Sequence, residues 1–262
     1  MTNPSPTASN QLQDIQSEIG VLLLEIGTLL MMSGANTQRI RLNVNRVSEA
    51  FGFQSELLIT HQALMLTMSQ NHKQVYSHLK RCSPHSVNFK ILSGISRMSW
   101  AIVEENWPFE KIKEEVERLK AISTYPNWIT ILFVSLSGAS FCRLFGGDFK
   151  AMAITFIATL TGIFVRQKMT LAKFNFYLSI FAASFSSTLI SGFFLKLLPT
   201  ITMEHAFASS ILFLVPGIPL INSFSDFIDG NLLNGFLRGL NSLLICFAMA
   251  LGWLLTVTIY KL

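Results

Sequence analysis

Charge is what this chain has least of. Only 13% of its 262 residues are Asp, Glu, Lys or Arg, whereas half are hydrophobic, and mean hydropathy is +0.46. A soluble protein of this size is usually about one-quarter charged. Cysteine is also scarce. Cys82, Cys142 and Cys246 are scattered and no CxxC occurs, which removes the basis for a disulfide framework or a cysteine zinc site and fits a reduced compartment. The first twenty residues contain neither a basic n-region nor an apolar h-region, so no signal peptide is expected there. There is no GxSxG, P-loop or GxGxxG, which withholds the usual signatures of an acyl-transfer or nucleotide enzyme. The net charge of +5 arises from residues that balance acids in the first half and flank apolar runs in the second. They read as topology determinants, and no nucleic-acid partner is expected.

The shortage of charge is uneven. Residues 1–126 carry 12 Lys/Arg and 11 Asp/Glu, while residues 127–262 carry 8 and 4. The expected fold is therefore that of a membrane protein: an N-terminal cytosolic α+β domain followed by an α-helical bundle of about five transmembrane helices. Residues 1–14 read as a disordered tail, 15–125 as the cytosolic domain and 126–262 as the transmembrane domain.

Within 15–125, an apolar helical pattern ends near Met32 and Gly34 supplies a C-cap signal. Asn36 or Thr37 then caps a second helix that ends near Gly52. Two or three strands follow, with a turn at Gln70–Asn71–His72, and further helices are expected over 88–104 and 109–121. His61, His72, His78 and His85 are spaced by eleven, six and seven residues, which matches no metal-ligand motif, so neither metal nor cofactor is expected. Glu25 lies in the apolar stretch VLLLEIGTLLMM, either as a reactive carboxylate or, more simply, paired with Arg39 or Arg41.

Beyond residue 126, apolar runs between charges place spans near 127–145, 150–166, 174–196, 205–223 and 237–260. A span needs about 20 residues, so the fifteen-residue run 151–165 is the weakest and relies on Lys150 and Arg166 reaching the interfaces. With the N-terminal half inside, Arg118, Lys120, Arg166, Lys168, Lys173 and Arg238 fall on the inner side. Arg143, Lys150, Lys196 and Lys261 fall outside. That is the positive-inside sense of a cell inner-membrane protein with a cytoplasmic N-terminal domain. Ala183, Ser187 and Ser191 make a small-xxx-small stripe, and Gly235 with Gly239 makes GxxxG, both read as packing surfaces.

The least expected stretch is VPGIPLINSFSDFIDGN. Pro216, Gly217 and Pro219 should interrupt the fourth span, and a broken helix in lipid is tolerated only when buried in protein or lining a cavity. Asn222, Asp226 and Asp229 follow at i, i+4 and i+7, on one side of a resumed helix, with Arg238 and Asn241 returning within reach. A carboxylate at membrane depth costs a few kcal/mol on the insertion scale of about +2.5–3.5. Such residues suit a polar pathway for a small hydrophilic solute in which a carboxylate also carries a proton. The blander alternative caps an interfacial loop with Asp226 and Asp229.

Two motifs, PGIPLINSFSDFIDGNLLNGFLR and LLLEIGTLLMMSGANTQRI, resemble the threonine/serine exporter family nearly throughout the chain from about Ile15. Glu25, Gly34 and Arg39 stand where that family usually has an acid, a glycine and an arginine. The resemblance implies proton-driven export of threonine, serine or related metabolites, with Asn222, Asp226 and Arg238 in the pathway. Full-length members carry about ten spans. This chain is similar to the first, longer subunit of a split form, whose smaller membrane partner supplies the remaining helices and whose members are linked to dicarboxylates, succinate above all. A homo-oligomer is the other way to close the pathway. The rival functions are a membrane-anchored enzyme with a hydrolase-like cytosolic domain and a membrane scaffold or sensor.

Overall fold

The computed structural model describes residues 6–60, 62–82, 87–123 and 125–262, with side chains described from Asp14 onward. Two compact units are present: residues 1–124 with 218–239, and residues 125–217 with 240–262. The stretch 218–239, expected with the membrane half, is thus folded as part of the first unit.

In the first unit, α1 (Pro6–Met32) and α2 (Thr37–Ala50) precede β1 (Gln54–Ile59), β2 (Ala63–Gln70) and β3 (Lys73–Arg81). Then come α3 (Phe89–Glu105) and α4 (Phe109–Lys120). Of the tail expected over 1–14, residues 1–5 lie outside the described residues, and α1 already runs from Pro6. The strands form one antiparallel sheet in the order β1-β2-β3. Asn71 and His72 both have positive φ (50° and 62°) and join β2 to β3 as a two-residue hairpin, whose mirror-image turn matches the strand twist. Alternation on β2 turns Leu64, Leu66 and Met68 to one face, where they are fully buried with Leu23, Ile26 and Leu30 of α1 and Ile40, Val44 and Val47 of α2. Ile95 and Met98 of α3 and Ile112, Val116 and Leu119 of α4 complete this core. His72 and His78 lie on the β2–β3 hairpin, whereas His61 and His85 fall outside the described residues.

The second unit contains α5 (Asn127–Leu144), α6 (Phe149–Leu171), α7 (Phe176–Leu197) and α8 (Ile201–Ser209), then a 3₁₀ turn (Leu212–Leu214). Its last part is residues 240–262, most of α10 (Leu232–Tyr260), whose start belongs to the first unit with α9 (Gly217–Ile228). Small and hydroxylated residues make the helix contacts, as close approach in an apolar bundle requires. Ser187 donates to the Ser210 carbonyl at 2.7 Å, Ser184 to the Met249 carbonyl at 2.7 Å, and Thr188 meets Thr256 at 2.7 Å. Ala183, Ser187 and Ser191 are all buried, so the stripe is indeed a packing surface. Outward-facing residues such as Phe133, Phe164, Leu243, Phe247 and Leu254 keep the exterior apolar.

Among the described residues, five helices are long and apolar enough to cross a membrane: Asp14–Met32 within α1, α5, α6, α7 and α10. Three expectations change. The run over 151–165 is part of a longer helix than its charges suggested, since α6 extends over 23 residues, past Arg166 and Lys168. The fourth span, expected over 205–223, is not one helix: α8 and the 3₁₀ turn end at Leu214 and α9 starts at Gly217. The fifth helix starts at Leu232, ahead of 237.

Candidate functional site

Why the chain breaks where it does follows from its prolines. Pro216 precedes α9 and Pro219 is its third residue, in the first turn, where a missing N–H costs nothing. Ile218 is helical although a residue before proline is usually extended. Gly217 opens the helix and is exposed; Pro216 is buried. Gly230, with φ +77°, ends the run, and α10 starts two residues later, so α9 and α10 form a helical elbow. Gly235 and Gly239 of the GxxxG lie against Ser223 of α9, whose hydroxyl donates to the Gly235 carbonyl at 2.6 Å.

The elbow holds the turn between α1 and α2. Gly34, with φ +90°, ends α1, and Asn36 is the N-cap of α2, accepting from Arg39 N at 2.9 Å. The Asn222 amide donates to the Gly34 carbonyl at 2.9 Å and Arg238 Nη2 to the Ala35 carbonyl at 3.1 Å. The Thr37 amide, a donor without an intrahelical partner at the start of α2, donates to Asp226 Oδ1 at 2.9 Å. Asp226 Oδ2 lies 3.2 Å from Arg238 Nη1. Asn234 Nδ2 sits 2.9 Å from the Ile59 carbonyl and 3.2 Å from Thr37 Oγ1. Asp226 is wholly buried and the Arg238 side chain is 16% exposed. The carboxylate therefore meets both a guanidinium and the positive end of a fourteen-residue helix, the two features that make burying it tolerable.

The structure thus brings together Asn222, Asp226 and Arg238, with Gly34 as the opposing backbone. Asp229 is not with them: it lies in the turn that follows Ile228 and is exposed. Asn241 belongs to the second unit, where it accepts from the Tyr177 hydroxyl at 2.8 Å. Glu25 pairs with Lys120 at 2.9 Å rather than with Arg39 or Arg41. Burial works to lower the pKa of the Lys120 ammonium, but its hydrogen bonds to Glu117 and Glu25 outweigh this and hold it above the ordinary value. Arg39 donates from Nη2 to the Leu92 carbonyl at 3.3 Å and to Ser96 Oγ at 3.1 Å. It also lines, with Asn36, Asn222 and Ser225, a cleft of about 300 Å³ beside α9. Sequence reasoning took Thr37 only as a candidate helix cap and missed Asn234. Asn234, a lone amide in LLNGFLR, was the available signal.

Several apolar helices of span length and a buried ion pair in an apolar stretch define a multi-pass membrane protein. The sequence profile of the threonine/serine exporter family matches residues 21–260, and the chain belongs to that family. It is 27% identical to the "Probable succinate transporter subunit YjjP" of Escherichia coli, over 94% of this chain and 96% of that protein. The protein of the same name from Klebsiella aerogenes is also 27% identical, with the same coverage. The "Threonine/serine exporter" of Corynebacterium glutamicum is 27% identical over 87% of this chain but only 48% of its own length. No solved structure matches.

Proposed function

We propose that the chain is one subunit of an inner-membrane exporter of small hydrophilic metabolites, threonine and serine or C4-dicarboxylates such as succinate, driven by the proton motive force. The observation that carries this reading is the pairing of lengths: the chain matches the succinate transporter subunits end to end but spans about half of the Corynebacterium exporter. The missing half is then supplied by a second, smaller membrane subunit. In this reading the first unit faces the cytoplasm, and membership of an exporter family favours a transporter over an enzyme.

In this reading the elbow is the moving part. Asp226 and Arg238 lock it to the start of α2, and Asn222 adds the hydrogen bond to Gly34. Protonating Asp226 would discharge both the ion pair and the helix-terminus contact at once, which gives a proton a direct means of releasing the lock. Pro216, Gly217 and Pro219 provide the break that lets α9 move separately from α8.

The test is efflux. Cells lacking their own exporters are loaded with labelled threonine, serine and succinate and followed with and without this chain and a candidate small subunit. Loss of one solute to the medium that needs both chains supports the reading. No efflux of any of the three, with both chains in the membrane, removes it.

A further inference from the structure

A second cleft of about 310 Å³ lies between α2 and α3, and its charge is one-sided. Its lining includes Arg39, Arg46, Gln38, Ser96 and Trp100 and contains no acidic residue. Arg39 and Arg46 are seven residues apart on α2, two turns along one face and about 10 Å along the axis. Neither arginine takes part in an ion pair among the described residues.

Both guanidinium groups are held in place rather than left to wander. Arg39 Nη2 is fixed by Leu92 and Ser96, as above. Arg46 Nη1 donates to Ser99 Oγ at 2.8 Å, and its guanidinium lies 3.8 Å over the Trp100 ring. Ser99 in turn donates to Asn43 Oδ1 at 2.8 Å, and the Asn43 amide donates to the Arg39 carbonyl at 2.7 Å. Part-buried hydrogen bonds therefore set both guanidiniums, while most of their N–H donors have no acceptor among the described residues. Two preorganised, part-buried cations without counter-charge form a receptor for negative charge.

Their spacing selects the anion. The two guanidiniums are anchored separately, at Ser96 and at Ser99, and a compact oxyanion brings a single centre of charge to two cations. A short chain with a carboxylate at each end brings one to each, and Trp100 with Leu42 offers its methylenes an apolar wall. A zwitterionic amino acid finds no carboxylate in the cleft for its ammonium group. We propose that this cleft binds a short α,ω-dicarboxylate, one carboxylate at Arg39 and the other at Arg46. As a statement about transport this rests on the exporter reading, and within it favours dicarboxylates over threonine and serine. The cleft shares Arg39 and Asn36 with the one beside α9, so a solute bound here is next to the elbow.

The experiment is calorimetric titration of the purified full chain in detergent with succinate, threonine and sulfate. Succinate is expected to bind, with threonine and sulfate at least tenfold weaker. Arg46→Gln should weaken succinate at least tenfold, with Arg46→Lys intermediate. Selectivity on the unaltered chain needs no variant, so a poorly folding Arg46→Gln does not spoil the test. Equal binding of succinate by a folded Arg46→Gln chain, sulfate or threonine binding as tightly as succinate, or no succinate binding at all would each overturn the assignment. Efflux separates the two readings: a solute exported by a chain that does not bind succinate leaves the exporter standing and the cleft proposal wrong, whereas succinate binding without any efflux does the reverse.

Discussion

Replacing Asp226 by Asn removes one charge from a pair whose acidic member is wholly buried and whose basic member is 16% exposed. Breaking a buried pair from one side costs about 3–5 kcal/mol, because the remaining charge is left without compensation. Arg238 retains some solvent and its bond to the Ala35 carbonyl, which places this case at the lower end, about 3 kcal/mol. That corresponds to a shift of roughly 150-fold in the balance between the locked and released elbow. The Thr37 amide reports on it directly, since as the first residue of α2 it has Asp226 as its acceptor. Hydrogen exchange on a peptide covering 36–40 should show that amide speeding up by about two orders of magnitude, within the same margin. Asp226→Asn combined with Arg238→Gln should recover most of the protection, since no buried charge is then left alone. Thr37 exchange within threefold of the unaltered protein, in a well-folded Asp226→Asn chain, would refute the lock.

Three further outcomes follow from the same geometry. Asp229→Asn should leave both efflux and melting temperature within error, because the side chain is exposed beyond the end of α9; loss of efflux would return it to the pathway. Glu25→Gln should cost below about 1 kcal/mol in thermal unfolding, as its bridge to Lys120 is about a quarter to a third exposed and screened by solvent, and should not stop efflux. Ser187→Leu should prevent assembly of the second unit, seen as loss of the monodisperse peak on size exclusion, since Ser187 is fully buried and hydrogen-bonded to the Ser210 carbonyl.

Local signals carried much of the architecture. Gly34 and Asn36 end one helix and cap the next, and the small-residue stripe at Ala183, Ser187 and Ser191 packs as its spacing implies. The Pro-Gly break was legible too, as was the return of Arg238 toward Asp226. What was not legible depends on partners far along the chain. Periodicity puts Asn222, Asp226 and Asp229 on one stripe, but it does not say how far along that stripe the partner surface reaches: Asp226 is buried and Asp229 is exposed. Nothing local says that α9 turns its polar face to the α1–α2 turn, 188 residues earlier. Lys120, 95 residues from Glu25, likewise lay outside any helical spacing rule. The α1 stretch from Asp14 to Met32 is apolar enough for a span, yet Leu23, Ile26 and Leu30 are buried in the core of the first unit.

The most direct test of the central claim uses proteoliposomes containing this chain and a candidate small subunit, loaded with labelled succinate or threonine, under an imposed pH gradient. The account predicts solute movement that needs both chains, collapses when the gradient is dissipated by a protonophore, and is lost in Asp226→Asn. Movement that persists without the gradient, or in an Asp226→Asn chain incorporated at the same level, would contradict it.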